Sequence, residues 1–197
     1  MIIGLHGKMG SGKSICSDMI CSILKDNNIA SEIKSFARPI YEIVATIFQT
    51  EVEDVKENKN TLVRPRTFSA SGLRTYRELL QTVGMDLRYL VHEDIWIDAM
   101  FGKENSKILE EWTGMYKWWI IDDLRFINEF DKVAISGGKL IKVKRNVKKD
   151  LHPDILNNRS ETDLDNFDDD AWDFIIDNND SLDITRKSLE NYIMTIL

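Results

Sequence analysis

The feature that most constrains this chain is a glycine-rich loop set between an apolar run and a helical period. Residues 1–5 are apolar. The loop that follows, Gly7-Lys8-Met9-Gly10-Ser11-Gly12-Lys13-Ser14, fits G-x-x-x-x-G-K-[ST] at every fixed position. Glycines let the backbone close around a phosphate with its N–H groups turned inward, and the following helix adds its positive end. Lys13 is placed to reach β/γ-phosphates, and the Ser14 hydroxyl to bind Mg²⁺. Gly7, Gly10, Ser11, Gly12, Lys13 and Ser14 are therefore the expected nucleotide-phosphate residues. A strand that feeds such a loop belongs in an α/β sheet.

The rest of the chain keeps that alternation. Residues 13–25 carry apolar positions at helical spacing and stop at Asn27-Asn28. A second strand is expected at 31–36. A helix follows Pro39, with Ile40, Ile43, Val44, Ile47 and Phe48 on one face. Residues 51–72 are polar without a clear period and read as a mobile excursion. Residues 74–93 read as a helix interrupted near Gly84, and 94–111 as another helix. Strands are expected at 118–121, 139–144 and 172–176, and helices at 128–135 and 181–196. Residues 146–169 read as polar and irregular. Five strands separated by helices imply a mostly parallel sheet covered on both faces. The 197 residues suit one domain, 1–197.

Charge and composition exclude other classes. A net charge of −7 argues against broad binding to nucleic-acid polymers. No apolar run approaches the roughly 20 residues of a membrane span, and no basic segment precedes an apolar one as in a signal peptide. Cys16 and Cys21 lie five apart in one predicted helix, so they point differently and no disulfide is expected. A reducing cytoplasm is the expected location. The Asp-rich stretch 163–183 lacks EF-hand spacing and reads as a solvated face.

Three further stretches carry candidate chemistry. In "RTYRELLQTVGMDLRYLVHEDIW", Arg77 and Gln81 share a helix face, and Arg88 lies three turns beyond Arg77. With Trp96 they supply a phosphate-binding Arg, a base-reading amide and a flanking ring. A surface Arg, a capping Gln and a core Trp is an equal reading. In "WWIIDDLRFINEF" a strand ends in acids. Asp122 and Asp123 would orient a Mg²⁺ shell or a substrate hydroxyl, with Arg125 and Glu129 next to them, or these acids cap the following helix. In "LIKVKRNVKKDLHPDILNNRSETDLD" a strand delivers Arg145. The segment after it, with Lys148, Lys149 and Arg159, could close over a nucleotide.

With these residues the chain resembles the bacteriophage deoxynucleoside monophosphate kinases. The likeness covers most of the chain, through "GLHGKMGSGKS", "FARPI", "RELLQTVGMDLR" with "DIW", "IIDDLRFINEF" with "GGKLIKVKR", "SETDLD" and "DFIIDNNDSL". It implies a three-layer P-loop kinase fold with a monophosphate-binding helical excursion, 37–112, and a lid segment, 146–169. It implies ATP and Mg²⁺ as cofactors, a deoxynucleoside monophosphate as partner, and the host cytoplasm as location, with a homodimer left open. Arg77 and Gln81 would contact phosphate and base, and Gly84 and Trp96 would shape the pocket. Asp123, Arg125 and Glu129 would meet sugar or phosphate. Two positions depart from the family. Tyr41 stands where a Lys is usual, with Arg38 as a substitute, and Met85 stands where a Thr is usual. Dephospho-coenzyme A kinase and a non-enzymatic nucleotide switch are the alternatives.

Overall fold

The computed structural model describes residues 1–63, 74–102, 117–146 and 158–197. In chain order the elements are β1 (Ile2–His6), α1 (Lys13–Asp26), β2 (Ser31–Lys34), α2 (Arg38–Phe48), α3 (Val52–Glu57), β3 (Leu62–Val63), β4 (Arg74–Thr75), α4 (Tyr76–Leu90), α5 (Ile95–Phe101), β5 (Trp118–Leu124), α6 (Ile127–Ile135), β6 (Lys139–Lys144), α7 (Arg159–Thr162), β7 (Phe174–Asp177) and α8 (Leu182–Ile196). Two compact units result, Met1–Ser35 with Lys107–Leu197, and Phe36–Ser106.

The first unit carries the expected five-stranded sheet, and every pairing in it is parallel. The strand order is β2-β5-β1-β6-β7, so β1 sits at the centre. Side chains alternate across the sheet. Ile3, Leu5, Ile120, Ile141, Val143 and Ile176 face one cluster with Cys16, Ile20, Ile23 and Leu24 of α1 and Leu189 and Ile193 of α8. Gly4 faces the other way, toward Leu124, Leu140 and Val133 of α6. Helices thus cover both faces, and the architecture is a three-layer α/β fold. The α1 stop falls where the Asn pair predicts. Asn28 is left-handed (φ 61°), and Ile29 N–H returns to Leu24 O at 2.8 Å. Strand β5 runs three residues beyond the expected end, so Asp122 and Asp123 lie within it. Cys16 and Cys21 are free thiols.

The second unit is helical. Pro39 occupies the first turn of α2, and Thr75 with Glu78 forms a capping box that starts α4. Val44, Ala45 and Val55 are buried together, with Leu79, Leu80 and Val83 packed around them. Two sequence expectations change here. Part of the supposed excursion, Val52–Glu57, is a helix anchored by the fully buried Val55. Gly84 does not interrupt α4. A Cβ there would lie 3.2 Å from Ile40 Cδ1, so the glycine serves close packing of α4 on α2. The helix expected over 94–111 is described as far as Phe101. Lys148, Lys149 and most of the expected lid fall outside the described residues. No described helix is long and apolar enough to cross a membrane.

Candidate phosphate-binding site

The loop Gly7–Ser14 leaves the carboxyl end of the central strand, with neighbours switching sides around it. That is where open α/β sheets bind ligands. Gly10 (φ 82°) and Gly12 (φ 97°) adopt backbone that favours glycine. A Cβ on Gly12 would collide with the Asn178 side-chain amide. That amide donates to Ser11 O at 2.8 Å, and Asn178 Oδ1 accepts from Thr185 Oγ1 at 2.9 Å. The loop is thereby braced from behind. Ser11 is 1% exposed, and its Oγ has no hydrogen-bond partner among the described residues.

Lys13 opens α1 and turns its ammonium onto the loop carbonyls Gly7 O and, at 3.2 Å, Lys8 O. Burial first, then the Arg125 charge, lowers its pKa to about 8, opposed by Glu161, Asp122 and Asp123. Ser14 Oγ donates to Asp122 Oδ2 at 3.3 Å. Burial and then the Asp123 charge push the Asp122 carboxyl up to about 6. A carboxylate so desolvated, beside a hydroxyl at the loop's end, suits a divalent cation. Mg²⁺ takes only one or two protein ligands when phosphates and waters complete its shell. Among the described residues no group of three or more His, Cys, Asp or Glu could hold a metal.

The acids and Arg125 take distinct roles. Asp123 Oδ2 accepts from Ser35 Oγ at 2.7 Å. Glu129 is 1% exposed, and its Oε2 accepts from Arg125 N at 2.9 Å and Phe126 N at 3.2 Å. It therefore closes the start of α6, the capping alternative. Arg125 Nη1 donates to Ser160 O at 3.1 Å and to Glu161 Oε1. Glu161 Oε2 accepts from Met9 N at 3.0 Å. Loop, Arg125 and the 159–165 segment are thus tied together. Arg159 bonds Asp163 Oδ1 at 3.0 Å and lies over the Phe126 ring. Arg145 is exposed just past β6. At the root of the loop, His6 Nδ1 pairs with Leu124 O at 3.0 Å and the ring stacks on Trp172. Burial drops its pKa to about 4, so the imidazole is neutral at pH 7 and Nδ1 carries the proton.

In the second unit Arg77 Nε donates to Asn60 Oδ1 at 3.0 Å, and Gln81 is partly buried one turn on. Arg88 is 7% exposed and bonds Glu93 O at 2.8 Å; the Trp96 indole bonds Gly84 O at 2.9 Å. Both are built into this unit's interior. Arg38 pairs with Glu42 at 2.9 Å on the surface. Lys56 and Lys59 lie over the Tyr41 ring, at 5.9 and 5.3 Å from its centroid. Sequence reading missed them, together with Glu161, Asn178 and Ser35. Tyr41 lies 15 and 18 positions before these lysines, so no local pattern announces the contacts.

No protein-family profile matches the chain. It is 28% identical over 173 residues to a protein of Acanthamoeba polyphaga mimivirus that carries the provisional name deoxynucleotide monophosphate kinase. The match covers 81% of this chain and 83% of that one. Among solved structures, dephospho-CoA kinase from Campylobacter jejuni aligns over 99% of this chain and 96% of its own, with 16% identity and a TM-score of 0.47. Shikimate kinase from Aquifex aeolicus aligns over 100% and 96%, with 14% identity and a TM-score of 0.43. At these scores neither likeness carries weight for chemistry.

Proposed function

We propose that this chain transfers the γ-phosphoryl group of ATP to the phosphate of a deoxynucleoside monophosphate. The observation that carries this reading is the setting of Arg125. It shares one carboxylate, that of Glu161, with the Met9 N–H of the phosphate loop, and Lys13 and the Ser14–Asp122 pair belong to the same loop region. A second cation held beside the loop by a shared carboxylate is suited to the phosphate of an acceptor. The provisional name of the mimivirus relative and the Arg77–Gln81 pair support a nucleotide acceptor.

In this reading the loop amides and Lys13 hold the ATP phosphates. Ser14 and Asp122 hold Mg²⁺, which when bound neutralises phosphate charge. Arg125 holds the acceptor phosphate and Asp123 faces the sugar, and the family resemblance gives Arg77 and Gln81 of the helical unit to phosphate and base. Gly84, Arg88 and Trp96 build the interior that carries Arg77 and Gln81, Glu129 fixes the turn that carries Arg125, Arg38 stands in for the family's Lys, and Arg145, just past β6, and Arg159 bring positive charge. An acceptor phosphate oxygen attacks the γ-phosphorus in line, the bond to the β–γ bridging oxygen breaks, and ADP leaves. The attacking oxygen is already anionic, so positioning and electrostatics carry the reaction without a strong base.

The deciding experiment incubates the chain with ATP and Mg²⁺ and, in separate reactions, each of dAMP, dGMP, dCMP and dTMP, dephospho-coenzyme A, or no acceptor. The expected result is ADP formed in step with a deoxynucleoside diphosphate. Transfer to dephospho-coenzyme A alone, or slow hydrolysis indifferent to acceptor, would overturn the proposal.

A further inference from the structure

We infer that Glu161 is a positioning residue that sets Arg125 against the phosphate loop. Its carboxylate joins the two: Oε2 accepts the Met9 N–H at 3.0 Å and Oε1 accepts from Arg125 Nη1. The inference rests on Arg125 being a phosphate-holding residue, as proposed above.

The surrounding contacts make this a fixed strut. The Glu161 side chain is 7% exposed and the Arg125 side chain 32%. Lys8 of the loop donates to Glu161 O and to the Asp165 carboxylate. Asp163 Oδ2 accepts from Ile127 N at 3.1 Å, and Asn158 Oδ1 from Ser160 N at 3.0 Å. The segment around Glu161 is therefore fastened both to the loop and to the turn that carries Arg125. A long arginine side chain loses considerable rotamer freedom when it is ordered. Glu161 and Ser160 O order it before any ligand arrives.

The pattern of contacts separates this role from that of a phosphate mimic. Among the described residues the guanidinium is bonded through Nη1 alone, to Glu161 and Ser160. Nε and Nη2 make no hydrogen bond to the described residues, and they form an edge that can meet a phosphate with two parallel bonds. A carboxylate standing in for phosphate would engage that edge. Glu161 instead leaves it to a ligand.

The test uses Glu161→Ala, Glu161→Gln, Arg125→Ala and the double variant Glu161→Ala with Arg125→Ala, all in the full chain. Calorimetry with inorganic phosphate, added to the chain saturated with Mg–ADP, gives a readout of acceptor-phosphate binding independent of turnover. Steady-state kinetics give KM and kcat for a deoxynucleoside monophosphate, and thermal melts check folding. Charge-assisted bonds of this kind are worth enough for about a tenfold change in affinity. Glu161→Ala is expected to weaken inorganic phosphate binding and raise the acceptor KM by about that factor. Glu161→Gln, which keeps an oxygen for Arg125, is expected to lose about threefold. The double variant should bind no worse than Arg125→Ala.

Unchanged or tighter binding in a folded Glu161 variant, or additive losses in the double variant, would overturn the inference; tighter binding would make Glu161 a competitor of phosphate. If Glu161→Ala does not fold, Glu161→Gln decides alone by the same criteria. A wild-type chain that shows this binding pattern but phosphorylates no deoxynucleotide leaves Glu161 in place and removes the proposed function. Normal deoxynucleotide turnover with Glu161 variants equal to wild type does the reverse.

Discussion

Asn178 and Ser11, 167 positions apart, are joined by a 2.8 Å hydrogen bond from the side-chain amide to the backbone carbonyl. The bond is buried, and it holds the middle of the Gly7–Ser14 loop. Asn178 is itself located by its N–H to Lys144 O at 2.8 Å and by Thr185 Oγ1. The end of the last strand thus dictates the curvature of a loop that follows the first.

Asn178→Ala strands a buried carbonyl and a buried hydroxyl, a cost of roughly 1–3 kcal/mol. The expected outcome is a melting temperature lower by several degrees and weaker Mg–ATP binding in the fraction that remains folded. Asn178→Asp should be worse, because it sets an acceptor against the Ser11 carbonyl. Thermal melts and nucleotide titration of both variants check this. Equal nucleotide affinity in the two variants and wild type would reduce Asn178 to a stability residue.

Asp122 gives a prediction in which stability and activity move oppositely. Its carboxyl pKa is raised from 3.8 to about 6 by burial and then by Asp123. Between about pH 4 and pH 6 the folded state therefore binds a proton that the unfolded state has released. Stability falls as pH rises through that window, and the penalty is fully present at pH 7. Asp122→Asn should melt higher than wild type at pH 7 and equally near pH 3. Its Mg²⁺-dependent turnover should drop on the order of a hundredfold, since the metal contributes several kcal/mol of charge stabilisation. Melts across pH 3–7 beside turnover at pH 7 decide it, and unchanged turnover would remove Asp122 from the metal site.

Much of this was legible in the sequence because the deciding signals are local. The phosphate loop, Pro39 in the first turn of α2, Asn27-Asn28 after α1 and Gly137 (φ 70°) after α6 each act within a few residues. Glu161, Asn178 and Ser35 gave no such signal. They are polar residues in polar stretches, and their partners Met9, Ser11 and Asp123 lie 152, 167 and 88 positions away. Only the strand order brings those pairs together. Val52–Glu57 was hidden differently, since a six-residue helix with one buried side chain shows no period. Glu129 was balanced between cap and ligand in the sequence, and its bonds to Arg125 N and Phe126 N, which make the cap, come from the fold.

Lys13 provides a pH signature of its own. Its pKa is lowered from 10.5 to about 8, chiefly by burial and then by Arg125. Between pH 8 and 10.5 the unfolded chain holds the proton that the folded chain has lost, so this group makes stability rise with pH across that range. Lys13→Ala should abolish that rise and melt higher than wild type at pH 7.5. Phosphoryl transfer should fall by on the order of 3 kcal/mol, because a charge that strengthens in the transition state is gone. Melts from pH 7.5 to 10, set beside turnover, test both halves. Near-normal turnover in the folded variant would sink the phosphate-loop assignment.

Gln81 carries the prediction about specificity. It sits four residues beyond Arg77 on α4, on the same face, which places a carboxamide within a nucleotide's reach of the guanidinium proposed above to hold the acceptor phosphate. A carboxamide offers two donors and an acceptor, so it can pair with a base edge, and a site built to pair rejects bases that leave its groups unpaired. Leucine has similar volume but no polar edge. Gln81→Leu is therefore expected to change the ranking of the four deoxynucleoside monophosphates by kcat/KM, with the largest loss, about tenfold, for the base that pairs best. The melting temperature should move little, because the residue is only partly buried. Competition between mixed acceptors measures the ranking directly. If every base loses by one common factor, Gln81 supports the helix and selection of the base belongs to other side chains around Tyr41 and Met85.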